Sequence, residues 1–335
     1  MSLSNSFDYT VTAADVILGA LEKLGVVEAG ETPDTDDKAL MLRELNKLVK
    51  QWSHPSDGSP GMKVWLRKTV YMFFAEGTRE YLLGPSGVRA TESYGTTTIS
   101  ANEAAGQTTI SVTDGSGTAT SDIIGIEQDD GTLHWSTISS GAAGNTPVIA
   151  AALTAAASAG NRVFYYTPVN SQNYLPFRPL EVISAMLRYY DSAGTAIDGT
   201  PLDVFFREEL GAFEQVSDKS SMADPVSMFV EPLRTQTRIT LDAAAQNVDK
   251  LLRLKVLSPA DDLDSDTDNV AFPPEWFAAL EWELAKRAAP SFRAPWAQTH
   301  EANWNQATAI ARQANPRGYI GGFRAVDGDE DEMSL

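Results

Sequence analysis

The pattern with the most definite chemistry in this 335-residue chain is Asp264-Ser-Asp266-Thr-Asp268-Asn269, followed by Glu275. It places carboxylates at positions 1, 3, 5 and 12 of a loop, the arrangement with which an EF-hand surrounds calcium with oxygen ligands. Position 6 argues against that reading. The sharp turn wants glycine there, and the chain has Asn269, which adopts the left-handed conformation only at a cost. Pro273 and Pro274 fill the tenth and eleventh positions, and the segment before the loop reads as strand, not helix. The expectation is therefore a solvated acidic loop that caps the following helix at its positive end, with Asp264, Asp266, Asp268 and Glu275 kept as a calcium candidate.

Other catalytic arrangements have less behind them. Glu281 and Glu283 would supply the carboxylate pair of a glycosidase, but residues two apart on a helix point to different faces. His134 stands beside Trp135 in a strand-like run, with no Gly-x-Ser-x-Gly turn to give it a nucleophile. Neither a Gly-x-Gly-x-x-Gly nor a Gly-x-x-x-x-Gly-Lys phosphate loop occurs. With no cysteine and three histidines (His54, His134, His300), disulfides and cysteine-ligated metals are excluded and a histidine metal site has little material. No catalytic residue and no cofactor is expected. The tryptophans are a better lead. Of seven, Trp276, Trp282, Trp296 and Trp304 fall in the last two helical patterns. Trp276 and Trp282 are six apart and cannot share one narrow stripe, so at least one is expected to face something other than the core, as an interface anchor.

The elements that would position these residues are legible. Thr12-Ala-Ala-Asp15 is a capping-box variant. Ile17, Ala20, Leu21 and Leu24 follow at helical spacing, and Gly25 stands at the left-handed C-cap. Leu42, Leu45, Val49 and Trp52 share a face of a second helix from about 36 to 52. Lys63 to Leu83 reads as paired strands around Gly77. From Gly95 to about Tyr166 Thr, Ser, Ala and Gly dominate and lysine disappears. Short alternating runs (97–100, 108–112, 123–127, 133–138, 163–166) are separated by turns, among them Asp129-Asp130-Gly131. Strands are expected again at 179–188, 226–230, 238–241 and 251–257. A helix started by Pro273-Pro274 follows, with Phe277, Leu280, Leu284 and Ala288 on one face. The last helix opens at Pro295 and would present Trp296, His300, Asn303, Ala307 and Ile310. The fold class is α+β: a helical core of about four main helices with associated strands and an inserted small all-β module. The organisation reads as 1–94 and 167–314 for the core, 95–166 for the module and 315–335 for an acidic tail that orders on a partner.

Composition narrows the partners. With 26 Lys+Arg against 45 Asp+Glu the formal net charge is −19, the opposite of a protein that grips phosphates. Nothing at the start reads as a signal peptide, and no uncharged apolar run approaches the roughly 18 residues that span a bilayer. A soluble chain made in a reducing cytoplasm is expected.

The order of these features resembles one family. TAADVILGALEKLGV, a second helix ending LNKLVKQW, a β region, FPPEWFAALEWELAKRAAPSF and a last helix are similar to the head-to-tail adaptor (connector) proteins of short-tailed bacteriophages, of the tail tubular or packaged-DNA-stabilising type. SDIIGIEQDDGTLHWSTI and GNRVFYY look like the accessory β module of longer adaptors. The resemblance implies a non-enzymatic virion protein at the head–tail junction, a ring commonly of twelve copies. Such a ring docks under the portal protein, extends the channel through which DNA passes unbound, and offers a platform to a tail nozzle or other tail proteins. On that reading Trp276, Trp282, Trp296, Trp304, Tyr319, Phe323 and Arg324 are the partner-binding candidates. Two other classes stay open. A cell-surface module binding carbohydrate or protein would use Trp135 and Tyr94 as stacking residues, and a peptidoglycan hydrolase would depend on one of the glutamates.

Overall fold

The computed structural model describes residues 9–53, 66–169, 174–191, 194–206, 209–216 and 221–314. The chain is mixed α+β, with more strand than helix, and divides into two compact units. The first takes both ends of the chain, up to Trp65 and from Ala260; the second is the stretch between, Leu66–Pro259.

The first unit holds α1 (Ala13–Leu24), α2 (Thr35–Ser53), α4 (Pro274–Ala288) and α5 (Gln298–Ala314). The capping box forms: the Thr12 hydroxyl accepts from the Asp15 amide, and the Asp15 carboxylate accepts from the Thr12 amide. The Thr12 hydroxyl also donates to the Asp15 carboxylate at 2.6 Å, and this bond, with that from the Thr12 amide after it, holds the Asp15 carboxyl below its usual range. Gly25 closes α1 at φ 66°, its amide reaching back to the carbonyls of Leu21 and Glu22. Ile17, Leu21, Met41, Leu45, Leu48, Leu280 and Leu284 are buried, and the Trp52 and Trp276 rings meet edge-on at 5.6 Å.

The second unit is built on an eight-stranded, nearly closed sheet in the order β2-β13-β12-β10-β9-β15-β1-β3. Its strands are β1 (Arg67–Phe73), β2 (Glu80–Leu83), β3 (Ala90–Thr91), β9 (Glu181–Tyr190), β10 (Ala196–Phe205), β12 (Ser227–Pro232), β13 (Thr237–Leu241) and β15 (Leu251–Leu257). All pairs are antiparallel except β10 with β12. Alternation sets its interior: Val70 and Met72 of β1 and Leu252, Leu254 and Val256 of β15 join one core, while Tyr71 and Phe73 point the other way. The short helix α3 (Leu210–Val216) adds Phe213, whose ring stacks on Phe229 at 5.7 Å. A two-stranded ladder, β11 (Met222–Ala223) with β14 (Ala244–Ala245), completes this part.

Residues 95–166 form a five-stranded sheet of their own, ordered β4-β8-β5-β6-β7, from β4 (Gly95–Thr98), β5 (Ile123–Glu127), β6 (Leu133–Ser140), β7 (Val148–Ile149) and β8 (Arg162–Tyr166). Gly131, at φ 83°, turns β5 into β6. One face of this sheet carries Ile124, Ile126, Ile138 and Val163 into an aliphatic core; the other turns Ile123, Trp135, Phe164 and Tyr166 toward Phe73 and Leu251 of the large sheet.

Four expectations need correcting. The segment around Gly77 does give two strands, but β1 pairs with β15 and β3 while β2 pairs with β13, so they are not partners. β10 lies where no strand was expected; it contains Gly199 and Pro201, residues that interrupt a regular ladder, and the pairing with β9 shifts register between Asp198 and Pro201. Residues 108–112 make only the isolated bridges Thr109–Val148 and Ile99–Val112. On α5 the buried positions are Ala307, Thr308 and Ala311, whereas Ile310 is exposed: the helix packs on one side, and its small residues give the closest approach.

Candidate functional site

α4 carries two working faces. Trp276, Phe277, Leu280, Leu284 and Ala288 are buried in the helical unit. Glu281, Trp282, Glu283 and Lys286 lie beside that stripe and meet neighbouring helices. Trp282, half-buried, is 6.3 Å from the Trp296 ring and 5.9 Å from His300, and Trp296 and His300 are 5.3 Å apart. Lys23 of α1 lies 5.4 Å from the centre of the Trp282 ring and pairs with Glu281. Lys286 stands 3.4 Å over the Trp304 ring, a close cation–π contact.

The polar edges of these rings are fixed as well. The Trp296 indole N–H donates to Glu301 at 2.7 Å and that of Trp304 to Glu283 at 2.7 Å. Lys286 donates to Glu301 at 2.9 Å, and Arg287 to Glu283 at 3.1 Å and to Gln51 of α2 at 2.6 Å. The Trp296 N–H, and after it the Lys286 ammonium, hold the Glu301 carboxyl below its usual range. The result is a patch of three half-buried indoles locked by alternating charges. Ordering these side chains in advance lowers the entropy lost on binding, which suits the patch to gripping a partner.

Of the partner-binding candidates, Trp282, Trp296 and Trp304 come together here, while Trp276 is fully buried and serves the core. Tyr319, Phe323 and Arg324 lie outside the described residues. Trp65 and His54 also lie outside them. Lys286 and Glu301 were not singled out by the sequence pattern; the signal available was the i, i+4 spacing of Trp282 with Lys286 and of Glu283 with Arg287. Glu281 and Glu283 diverge, one toward α1 and the other toward α5.

The acidic loop does something the sequence did not suggest. The backbone carbonyls of Asp268 and Asp266 accept the amides of Ala13 and Ala14, at 2.8 and 2.7 Å, so the loop closes the N-terminus of α1 and not that of α4. The α4 N-cap is Pro273, with no side-chain capping bond. The Asp268 carboxylate turns back to the Ser265 amide at 2.8 Å, Asp266 faces Lys38 at 3.8 Å, and Asp264 and Glu275 are exposed. Among the described residues no three carboxylates or histidines converge to hold a metal ion.

No protein-family model and no curated protein matches this chain.

The residues considered for a surface-binding module are largely engaged. Trp135 packs on Phe73 at 5.0 Å under the Arg89 guanidinium, and the Tyr94 hydroxyl hydrogen-bonds that of Tyr190. His134 is buried, its Nε2 3.1 Å from the Ala151 carbonyl oxygen, a packing role. No helix among the described residues is long and apolar enough to cross a membrane.

Proposed function

We propose that this chain is a head-to-tail adaptor of a short-tailed bacteriophage, a non-enzymatic virion protein. It forms a homo-oligomeric ring that docks on the portal protein, extends the DNA channel, helps to retain the packaged genome and gives tail proteins their platform. The observation that carries this reading is the chain's division: a four-helix unit made from both ends of the sequence, with the whole β stretch Leu66–Pro259 leaving and re-entering it. A connector must present separate surfaces to a head and to a tail, and such a chain carries two units, each with its own core. The indole patch, from Trp282 of α4, Trp296 of the connection and Trp304 of α5, supplies preformed anchors on the helical unit, and the net charge of −19 suits a channel that DNA must slide through without being gripped.

Negative-stain microscopy of the purified protein, alone and mixed with portal rings of the same virus, tests the reading. Rings that form, or that form only on the portal, are expected. Protein that ignores the portal overturns it. Trp282→Ala together with Trp304→Ala is expected to weaken docking or ring closure by tenfold or more, with the β unit still folded by circular dichroism.

A further inference from the structure

The second unit contains an open cleft of about 560 Å³, within the range of small-molecule sites (about 300–1,000 Å³). It lies where the five-stranded sheet leaves the large one, and the adaptor reading makes no use of it. Its most specific feature is Tyr165. That ring lies across two glycines: a Cβ at Gly95 would come within 2.3 Å of the ring, and one at Gly117 within 2.4 Å of the phenol oxygen. Any side chain at either position would displace it. Tyr165 is half-buried, and its hydroxyl has no hydrogen-bond partner among the described residues. Beneath it Asp122, 2 % exposed, is fixed from both oxygens, by the Ala119 amide at 2.7 Å and the Thr167 hydroxyl at 2.8 Å. Each of those oxygens keeps acceptor capacity. Across the cleft Lys68 and Glu92 pair at 2.9 Å, both about one-third exposed.

The charges choose the ligand class. One lysine against two carboxylates leaves the lining negative, so phosphates, sulfates and acidic sugars are repelled. An aromatic ring beside a fixed carboxylate, an ion pair and an unused phenol hydroxyl gives both an apolar contact and several donors and acceptors, which a purely apolar ligand would leave unsatisfied. We propose that this cleft binds a neutral saccharide, with a sugar ring against Tyr165 and its hydroxyls bonded to Glu92, Lys68 and the Tyr165 phenol. The proposal does not rest on the adaptor reading.

The test is an array of neutral oligosaccharides, with sialylated and sulfated glycans as charged controls, probed with the labelled full chain and followed by calorimetric titration of the strongest neutral hit. Binding to neutral glycans is expected, reduced at least tenfold by Tyr165→Ala and by Glu92→Gln, and only a few-fold by Tyr165→Phe. Thermal melting checks each variant, and Glu92→Gln decides the matter if Tyr165→Ala fails to fold. No neutral glycan bound, a preference for the charged controls, or wild-type affinity in Glu92→Gln overturns the proposal. Docking on portal rings, measured on the same variants, is expected to be unchanged, so failure of one reading is distinguishable from failure of the other.

Discussion

The two faces of the five-stranded sheet were built from different residues for different tasks. Its inner face is aliphatic, with Ile124, Ile126, Ile138, Ile149 and Val163. Its outer face is aromatic: Phe164, Tyr166 and Trp135 meet Phe73, Tyr71 and Tyr190 of the large sheet. Arginines border the aromatic side, Arg162 4.6 Å from the centre of the Tyr190 ring and Arg188 5.0 Å from that of Tyr71. Branched aliphatic chains suit an interior that never opens; aromatic rings with guanidinium groups are the composition of interfaces between separately folded bodies. The difference shows a sheet with an aliphatic core of its own that shares a second, aromatic core with the large sheet, inside one compact unit of the chain. Burial follows the same logic, since the Tyr166 hydroxyl, in the seam, has its pKa pushed up to about 12 by desolvation.

The comparison breaks most directly at Phe164. Its ring is fully buried and lies 5.2 Å from Phe73 and 6.1 Å from Tyr190. Phe164→Ala is expected to cost about 3–5 kcal/mol and to admit protease at the 92–95 connection while the module's own β signal persists. Ile126→Ala, on the inner face, should cost about 2–4 kcal/mol with the opposite signature: hydrogen exchange rises within the module, and the large sheet stays protected. If both variants raise exchange everywhere together, the two faces belong to one cooperative core.

Smaller changes sharpen the boundary. Tyr190→Phe removes the hydroxyl that meets Tyr94 and should cost about 1 kcal/mol, read as a shift in the urea midpoint. The smallest effect concerns Glu127, at the end of β5. Desolvation raises its pKa above the ordinary carboxylate range, opposed by a hydrogen bond from the Arg162 amide at 2.8 Å, with Asp249 adding repulsion. Because the folded pKa lies above the unfolded one, the stability Glu127 contributes is fully present below the ordinary carboxylate range and is lost as pH rises through the folded value. Glu127→Gln should therefore gain stability relative to wild type as pH rises through the raised carboxyl pKa, by under about 1 kcal/mol, read from thermal melts across that range. Asp198 runs the other way. Arg188, bonded to it at 2.7 Å, and Arg253, at 2.5 Å, hold its pKa down, so its contribution is lost as pH falls through that lowered value.

What the sequence disclosed was local in origin. The capping box at Thr12, the left-handed Gly25 and the Pro273-Pro274 start each act within one turn of helix, and β13 and β15 carry their own alternation. What stayed hidden was non-local. β15, which pairs along all of β1, and β13, the partner of β2, lie more than 150 residues away in sequence, and nothing within Lys63–Leu83 names them. The acidic loop's use was invisible because its carbonyls, common to every residue, do the capping. At the candidate site the spacing put four tryptophans in the last two helical patterns and set at least one off the core stripe, but not the meeting of Trp282 with Trp296, which precedes α5. Lys286 at the centre of it could not be anticipated, since its placement over Trp304 depends on how α4 and α5 are rotated against each other.

One consequence concerns synthesis. Lys23 and Glu281, which join α1 to α4, are 258 residues apart in the chain. At about 5–20 residues per second, α1 and α2 leave the ribosome roughly 10–50 s before α4 exists to cover their apolar faces. The β stretch can meanwhile complete every strand pairing described for it, so the order of birth favours a finished sheet and a waiting pair of helices. The helical unit can therefore close only after residue 274 has been made. A chain truncated anywhere before residue 274 cannot close it, and would leave Leu21, Leu45 and Trp52 without the cover that α4 provides.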